Sequence, residues 1–264
     1  GKQSISLPVS IGGGLIGEKN ASATTLLNLA SAALRGAQGE GGNRVAVIDP
    51  SEQDKAAAET SRRWLALIDN ALANDGFVLY YQPIISLHGA EGDFYEILLR
   101  MSGPNGEIPP NQFLPIAERH GKLPAIDRWV IANAIHAIAE RERAGHRTTF
   151  FVKLTPQSLD DQTLLPWIAQ QLKNARQRGD SLVFEMPESK VVTSLKPARA
   201  FAKGLEQIHC GFALEQFGSG LNSFQLLKHI PAHYLKIDRN FMADLPRHKE
   251  NQDKIKDICE QAHH

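Results

Sequence analysis

The sequence predicts an α/β protein built on a parallel sheet or a (β/α) barrel, with a smaller βαβ-sized unit ahead of it. Three observations carry the prediction. Between Phe77 and Ile237, six apolar β-type runs alternate with stretches of helical periodicity. Most of those runs finish in charged or polar residues, the pattern of a barrel whose functional groups gather where strand carboxyl ends and loops converge. Upstream of Asp49, a strand, a helix and a second strand fit in the length of one βαβ unit.

In chain order, residues 3–11 alternate toward a strand, Ala23–Leu34 repeats apolar residues at helical spacing, and Arg44–Ile48 is a short β-branched run. Residues 50–75 form a helical connector: a polar, alanine-rich start, then Trp64, Leu65, Leu67, Ile68, Ala71 and Leu72 on one face, ended by Asn74-Asp75-Gly76. The six later strands are Phe77–Ile85, Phe94–Met101, Thr149–Leu154, Leu182–Met186, Gly211–Phe217 and Tyr234–Ile237. Helices are expected over Pro124–Arg143, Leu164–Arg178, Lys196–Gln207 and Ser223–Lys228, with a last one beginning near Lys254. The polar strand ends are Glu96 with Arg100, Lys153, Glu185 with Glu188, Glu215 with Gln216, and Lys236 with Asp238. Solvated strand-end charges are the simpler explanation at any one strand, but five strands share the habit.

Composition sets the limits. The 264 residues allow one large domain or two ordinary ones, and 42% hydrophobic with 22% charged residues is a globular balance with a buried core. Lysine plus arginine (29) equals aspartate plus glutamate (29), so no overall field favours polymeric nucleic acid or an acidic membrane. Any anion must be held locally. Cys210 and Cys259 lack CxxC or metal-ligand spacing, which suits a reducing compartment, and a cytoplasmic location is expected. No run approaches about 18 apolar residues, so no membrane insertion is expected, and no secretory signal is present. A start without methionine and a stop inside a helical pattern lead us to expect a piece of something longer.

Gly12, Gly14 and Gly17 satisfy GxGxxG after a strand and before a helix, but the next strand-end acid, Asp49, comes too late for a dinucleotide fingerprint; a glycine-rich turn is the better reading. Glu96 and Arg100 stand four apart on one strand and so face the same side. The pair fits either an arginine fork on a phosphate beside an acceptor for a metal or guanine edge, or a plain salt bridge. His229 and His233 have metal-pair spacing, but Pro231 breaks the helix that would align them, so they read as loop histidines.

Taken in order, Tyr81-Gln82-Pro83-Ile84, Tyr95-Glu96-Ile97-Leu98-Leu99-Arg100, Phe113-Leu114-Pro115-Ile116-Ala117-Glu118, Asp127-Arg128-Trp129-Val130, Phe184-Glu185-Met186-Pro187-Glu188, Phe217-Gly218-Ser219-Gly220 and Leu235-Lys236-Ile237-Asp238 resemble an EAL domain. That family binds and usually hydrolyses cyclic di-GMP, a bacterial second messenger. The resemblance covers residues 60–264 and implies a (β/α)8, TIM-like EAL barrel. Such a barrel should have two further strands after the last helix, carrying an acid-rich loop and a glutamine, so those strands are expected beyond this chain. Upstream, Ser10-Ile11-Gly12, the helix with Ala32-Ala33-Leu34 and Gly41-Gly42-Asn43-Arg44-Val45 resemble the tail of a GGDEF domain without its catalytic half. The implied organisation is a GGDEF-like remnant over residues 1–49, a helical connector with the start of the EAL domain over 50–75, and a C-terminally incomplete EAL-like domain over 76–264.

The departures from the family matter most. By resemblance, active enzymes place a Glu, an Asn, a second Glu and an Asp-Asp pair around two divalent metals that generate the attacking hydroxide. The matching positions here are Glu96, Lys153, Glu185, Glu215 and Gln216, a sum of minus two against minus four in the family, with Lys236 alongside. An ammonium offers a metal no lone pair, Gln216 removes a carboxylate, and Glu215 adds a methylene. Without metal, water keeps a pKa of about 15.7 and attacks poorly. The expectation is therefore no catalytic residue, no metal ligand, and no requirement for magnesium or manganese.

The resemblance keeps the ligand site: Gln82, Glu96, Leu98, Leu99, Arg100, Pro115, Asp127, Lys153, Glu185, Glu215, Phe217 and Asp238, with Arg100 on a phosphate and Asp127 on a guanine edge. Lys153 would partly replace a metal's charge beside the phosphates. A degenerate GGDEF remnant joined to a degenerate EAL domain resembles FimX-type cyclic di-GMP receptors. It implies a PilZ-domain partner, the pilus assembly machinery, control of type IV pili and twitching motility, and a cytoplasmic location concentrated at a cell pole. Two alternatives stay open: a phosphodiesterase opening cyclic di-GMP to pGpG with Glu96, Glu185 and Glu215 on metal, and a structural module that has lost the ligand.

Overall fold

The computed structural model describes residues 8–16, 22–87, 89, 91–220 and 222–263. Part of the first expected strand, residues 3–7, and Gly17 of the glycine run lie outside them. The chain divides into two compact units, Gly1–Ala66 and Leu67–His264.

In the first unit, β1 (Ile11–Gly14) pairs in parallel with β2 (Val45–Ile48), and α1 (Ala23–Gly39) connects them. Ser22 caps α1, its hydroxyl accepting from the Thr25 backbone N–H at 3.2 Å. The glycines serve close packing. A Cβ on Gly12 would lie 2.2 Å from the carbonyl oxygen of Ala30, so only glycine lets strand and helix approach this far. The helical connector is one helix, α2 (Pro50–Ala73), ended by Asp75 at φ 50.

The second unit holds β3 (Phe77–Ile84), β4 (Asp93–Gly103), β5 (Gly106–Ile108), α3 (Pro110–Arg119), α4 (Leu123–Arg143), β6 (Thr148–Lys153), α5 (Leu164–Ala175), β7 (Leu182–Pro187), α6 (Glu188–Thr193), α7 (Leu195–Gln207), β8 (Gly211–Phe217), α8 (Ser223–Leu227), β9 (Tyr234–Ile237) and α9 (Lys249–Ala262). Its sheet runs β3-β4-β6-β7-β8-β9, with β5 attached to β4. The expectation of parallel strands throughout is corrected at the start. β3 and β4 are antiparallel, because residues 85–92 are too few for a crossover helix. From β4 to β9 every step along the main order is parallel, the α/β arrangement of a TIM-like barrel wall. Among the described residues β3 and β9 do not pair.

Three elements escaped the sequence reading: β5, only three residues long, α3, which carries Pro115 in its interior, and the six-residue α6. α5 stops before its expected end because Arg176 turns left-handed at φ 55. Inward-facing Phe94, Phe151, Val183 and Ala213 pack into an apolar layer. No described helix is long and apolar enough to cross a membrane.

Candidate functional site

The site follows from strand periodicity. Side chains alternate faces, so the residue two positions after each inward apolar side chain also faces inward. Phe94 is followed by Glu96, Phe151 by Lys153, Val183 by Glu185, Ala213 by Glu215 and Tyr234 by Lys236. A ring of five ionisable groups therefore sits above an apolar floor, at the carboxyl ends of neighbouring strands.

The five groups pair directly. Lys153 Nζ lies 2.6 Å from Glu96 Oε1, 3.1 Å from Glu185 Oε1 and 2.5 Å from Glu215 Oε1. Lys236 Nζ lies 2.7 Å from Glu96 Oε2, 2.7 Å from Glu185 Oε2 and 3.3 Å from Glu215 Oε1. The sequence tally left out Lys236; with it, three carboxylates and two ammoniums sum to minus one. The Glu185 side chain has 0% exposure, and burial followed by the Glu215 charge raises its pKa despite both lysines. At Glu96 burial acts the same way, but hydrogen bonds from Lys153 and Lys236 outweigh it and hold the carboxyl below the ordinary range. Desolvation disfavours both ammoniums, yet the Glu185 charge and the hydrogen bonds to neighbouring glutamates hold each above the usual lysine value.

Oxygens of Glu96, Glu185 and Glu215 come within 4.8 Å of one another, a spacing that suits a cation. Each of these carboxylates already accepts from both ammoniums.

Other expected site residues are placed as follows. Gln82 stands opposite Glu96, exposed, and Leu98 and Arg100 share the Glu96 face of β4. Arg100 and Glu96 form no salt bridge; the Arg100 side chain instead donates to the Leu99 carbonyl at 2.7 Å. Leu99 itself points to the opposite face, a correction that follows from its odd register on β4. Pro115 is exposed inside α3.

Asp127 is 5% exposed, and its Oδ2 accepts from Thr155 N (3.0 Å), Thr155 Oγ1 (2.6 Å) and Ser158 Oγ (2.6 Å). Burial raises its pKa against these bonds. Asp127 thus ties α4 to the turn that begins two residues beyond Lys153, a link the sequence does not display because Thr155 and Ser158 carry no motif.

Two expectations are corrected outright. Phe217 is fully buried with its ring 5.6 Å from Phe224, so it faces the core and not a ligand. Asp238 is buried and caps the turn at Arg239–Met242, accepting from Asn240 N at 2.8 Å. Gln216 is exposed at φ 53, where the β8–β9 register shifts, and its side chain makes none of the ring's contacts. Glu188 is a buried anchor: its Oε2 accepts from Gly218 N at 3.0 Å. His233 Nδ1 accepts from Phe212 N at 3.2 Å, away from any metal-like group with His229 among the described residues.

Comparison with known proteins gives a consistent picture. A family model described as "EAL domain" matches residues 66–264. The cyclic di-GMP phosphodiesterase PdeF of Escherichia coli (strain K12) is 34% identical over 197 residues, covering 74% of this chain and 26% of PdeF. The chain therefore spans about a quarter of that relative's length. The FimX EAL domain of Pseudomonas aeruginosa bound to cyclic di-GMP superposes with a TM-score of 0.72 at 42% identity, covering 76% of this chain and 81% of that one. The Xanthomonas citri FimX EAL domain in complex with cyclic di-GMP gives 0.75 at 40% identity, covering 79% and 82%.

Proposed function

The chain belongs to the EAL domain family, and we propose that within it this protein is a receptor that binds cyclic di-GMP intact, without metal and without hydrolysing it. One observation carries the reading: the Lys153 ammonium lies within 3.1 Å of Glu96, Glu185 and Glu215, in the position a cation would take among them. The donor set does not fit a divalent metal as it stands. Every carboxylate of the triad is neutralised in part by Lys153 and Lys236, and a metal would have to displace a tethered cation and tolerate the second nearby. With no such metal, the ring offers no Lewis acid to bring the pKa of an attacking water from about 15.7 to near neutrality.

Part of the expected ligand side supports the reading. Gln82, Leu98 and Arg100 lie on the ring's face of β3 and β4, and two FimX EAL domains, 42% and 40% identical over 76% and 79% of this chain, are described as bound to cyclic di-GMP. The same likeness supports the finer proposal of a FimX-type role: a PilZ-domain partner, regulation of type IV pilus assembly and twitching motility, and action in the cytoplasm at a cell pole. The first 49 residues, with a parallel strand pair closed by a helix, are proposed as the remnant of a GGDEF-like domain.

A second reading has its own observation. The triad's 4.8 Å spacing and the likeness to PdeF favour a metal-dependent phosphodiesterase yielding pGpG. Incubating the protein with cyclic di-GMP and manganese, then resolving nucleotides chromatographically, separates the two: intact dinucleotide supports the receptor, accumulating pGpG the enzyme.

A further inference from the structure

One arginine near the ring is held in a different way from its lysines. Arg100 shares a strand face with Glu96, yet no carboxylate lies within 4 Å of its guanidinium among the described residues, whereas Lys153 and Lys236 each touch three. Its guanidinium carbon stands 5.8 Å from the centroid of the Tyr80 ring. Tyr80 sits across from Leu98 in the β3–β4 register and, two positions from Gln82, on the same face. The Tyr80 hydroxyl donates to both carboxylate oxygens of Glu107, on β5, at 2.9 and 2.8 Å. That anchor fixes the ring's orientation, and donation to a carboxylate enriches the ring's π face, which strengthens its attraction for a cation. A ring differs from an acid in one decisive respect. It orients a guanidinium without cancelling its charge, so an arriving anion displaces no salt bridge.

We propose that Tyr80, anchored by Glu107, is a positioning residue that holds Arg100, which donates to the Leu99 carbonyl but pairs with no carboxylate, charged for the phosphate of the bound ligand. The proposal rests on the receptor reading for the ligand's identity, and on the contacts above for the rest. It assigns a role to Tyr80 and Glu107, neither of which carries a recognisable motif.

The test is a double-mutant cycle read by titration calorimetry of the whole chain with cyclic di-GMP in the presence of a chelator. Tyr80→Leu should weaken binding about two- to five-fold, the range of an exposed cation–π contact. Tyr80→Phe, which keeps the ring and loses the anchor, should fall between Tyr80→Leu and the parent. In an Arg100→Ala background, Tyr80→Leu should produce no further loss. Tyr80 is 47% exposed, so these variants should keep the parent's melting temperature; if Tyr80→Leu nonetheless fails to fold, Glu107→Ala completes the same cycle from an exposed position. A parent that binds, together with a Tyr80→Leu effect that is absent or adds in full to Arg100→Ala, overturns the positioning role alone. A parent that does not bind at all overturns the receptor reading and this proposal with it.

Discussion

Lys236 Nζ stands 2.7 Å from Oε2 of Glu185, a side chain with no solvent exposure, although 51 residues separate them in the chain. A buried carboxylate needs such a partner, since leaving it unpaired in a low-dielectric interior is strongly unfavourable. β7 and β9 bring the two together across β8, and Lys153 satisfies the other oxygen of the same carboxylate. The ring is thus a closed set of charges, and its behaviour under mutation and pH follows from that closure.

Removing the Lys153 ammonium should open the triad to metal. Lys153→Asn leaves Glu96, Glu185 and Glu215 with Lys236 alone, and millimolar manganese should then raise the variant's melting temperature by about 2–4 °C through binding to the folded state. The parent should shift by less than about 1 °C. Differential scanning calorimetry with and without manganese decides it, and an equal rise in both proteins would contradict the closed ring.

Much of this was legible in the sequence, for reasons tied to particular elements. Strand β9 is only four residues, yet the apolar run at Tyr234–Ile237 marks both its ends. Glu96, Lys153, Glu185 and Glu215 were found because strand-end charges on successive strands converge in a barrel. What stayed hidden depends on partners far apart in the chain. Nothing in the Asp127 motif says that Thr155 and Ser158 occupy its Oδ2, and nothing around Phe217 separates a core aromatic from a ligand-facing one. Leu98 and Leu99 differ only in parity, which the antiparallel register of β3 and β4 fixes. α6 is too short for helical periodicity to emerge.

Alkaline pH should weaken the ring in a definite window. Lys153 and Lys236 both have folded pKa values above the ordinary lysine value of about 10.4. A raised folded pKa means that the stabilisation is complete below about pH 10.4 and is lost as pH climbs through the higher folded values. Melting curves across that window should show the parent losing stability more steeply than Lys153→Met, which lacks one of the two titrating groups. Parallel curves would contradict the assignment.

Asp127 should act on stability first. Asp127→Ala strands the Thr155 N–H and two hydroxyls that now donate to it, at a cost of about 1–3 kcal/mol. Asp127→Asn keeps a carbonyl acceptor and should lose less than half of that. Urea denaturation of the two variants measures the difference, and equal losses would show that the carboxylate's charge, not its acceptor geometry, is what the turn requires.

Glu188 should prove structural. Its carboxylate accepts from Gly218 N at 3.0 Å, and a Cβ on Gly220 would come 2.5 Å from its Oε1. Glu188→Ala leaves the buried Gly218 N–H without an acceptor, destabilising the protein by about 1–3 kcal/mol. Thermal melts should show that loss; an unchanged melting temperature would mean that the turn after β8 holds itself.

The most direct test of the central claim is equilibrium dialysis of the protein against cyclic di-GMP with a chelator present, followed by chromatography of the nucleotide on both sides. The account predicts that intact cyclic di-GMP concentrates with the protein, and that replacing the chelator with magnesium or manganese changes neither its affinity nor its chemical form. Binding that appears only with metal, or conversion to pGpG once metal is supplied, would contradict it.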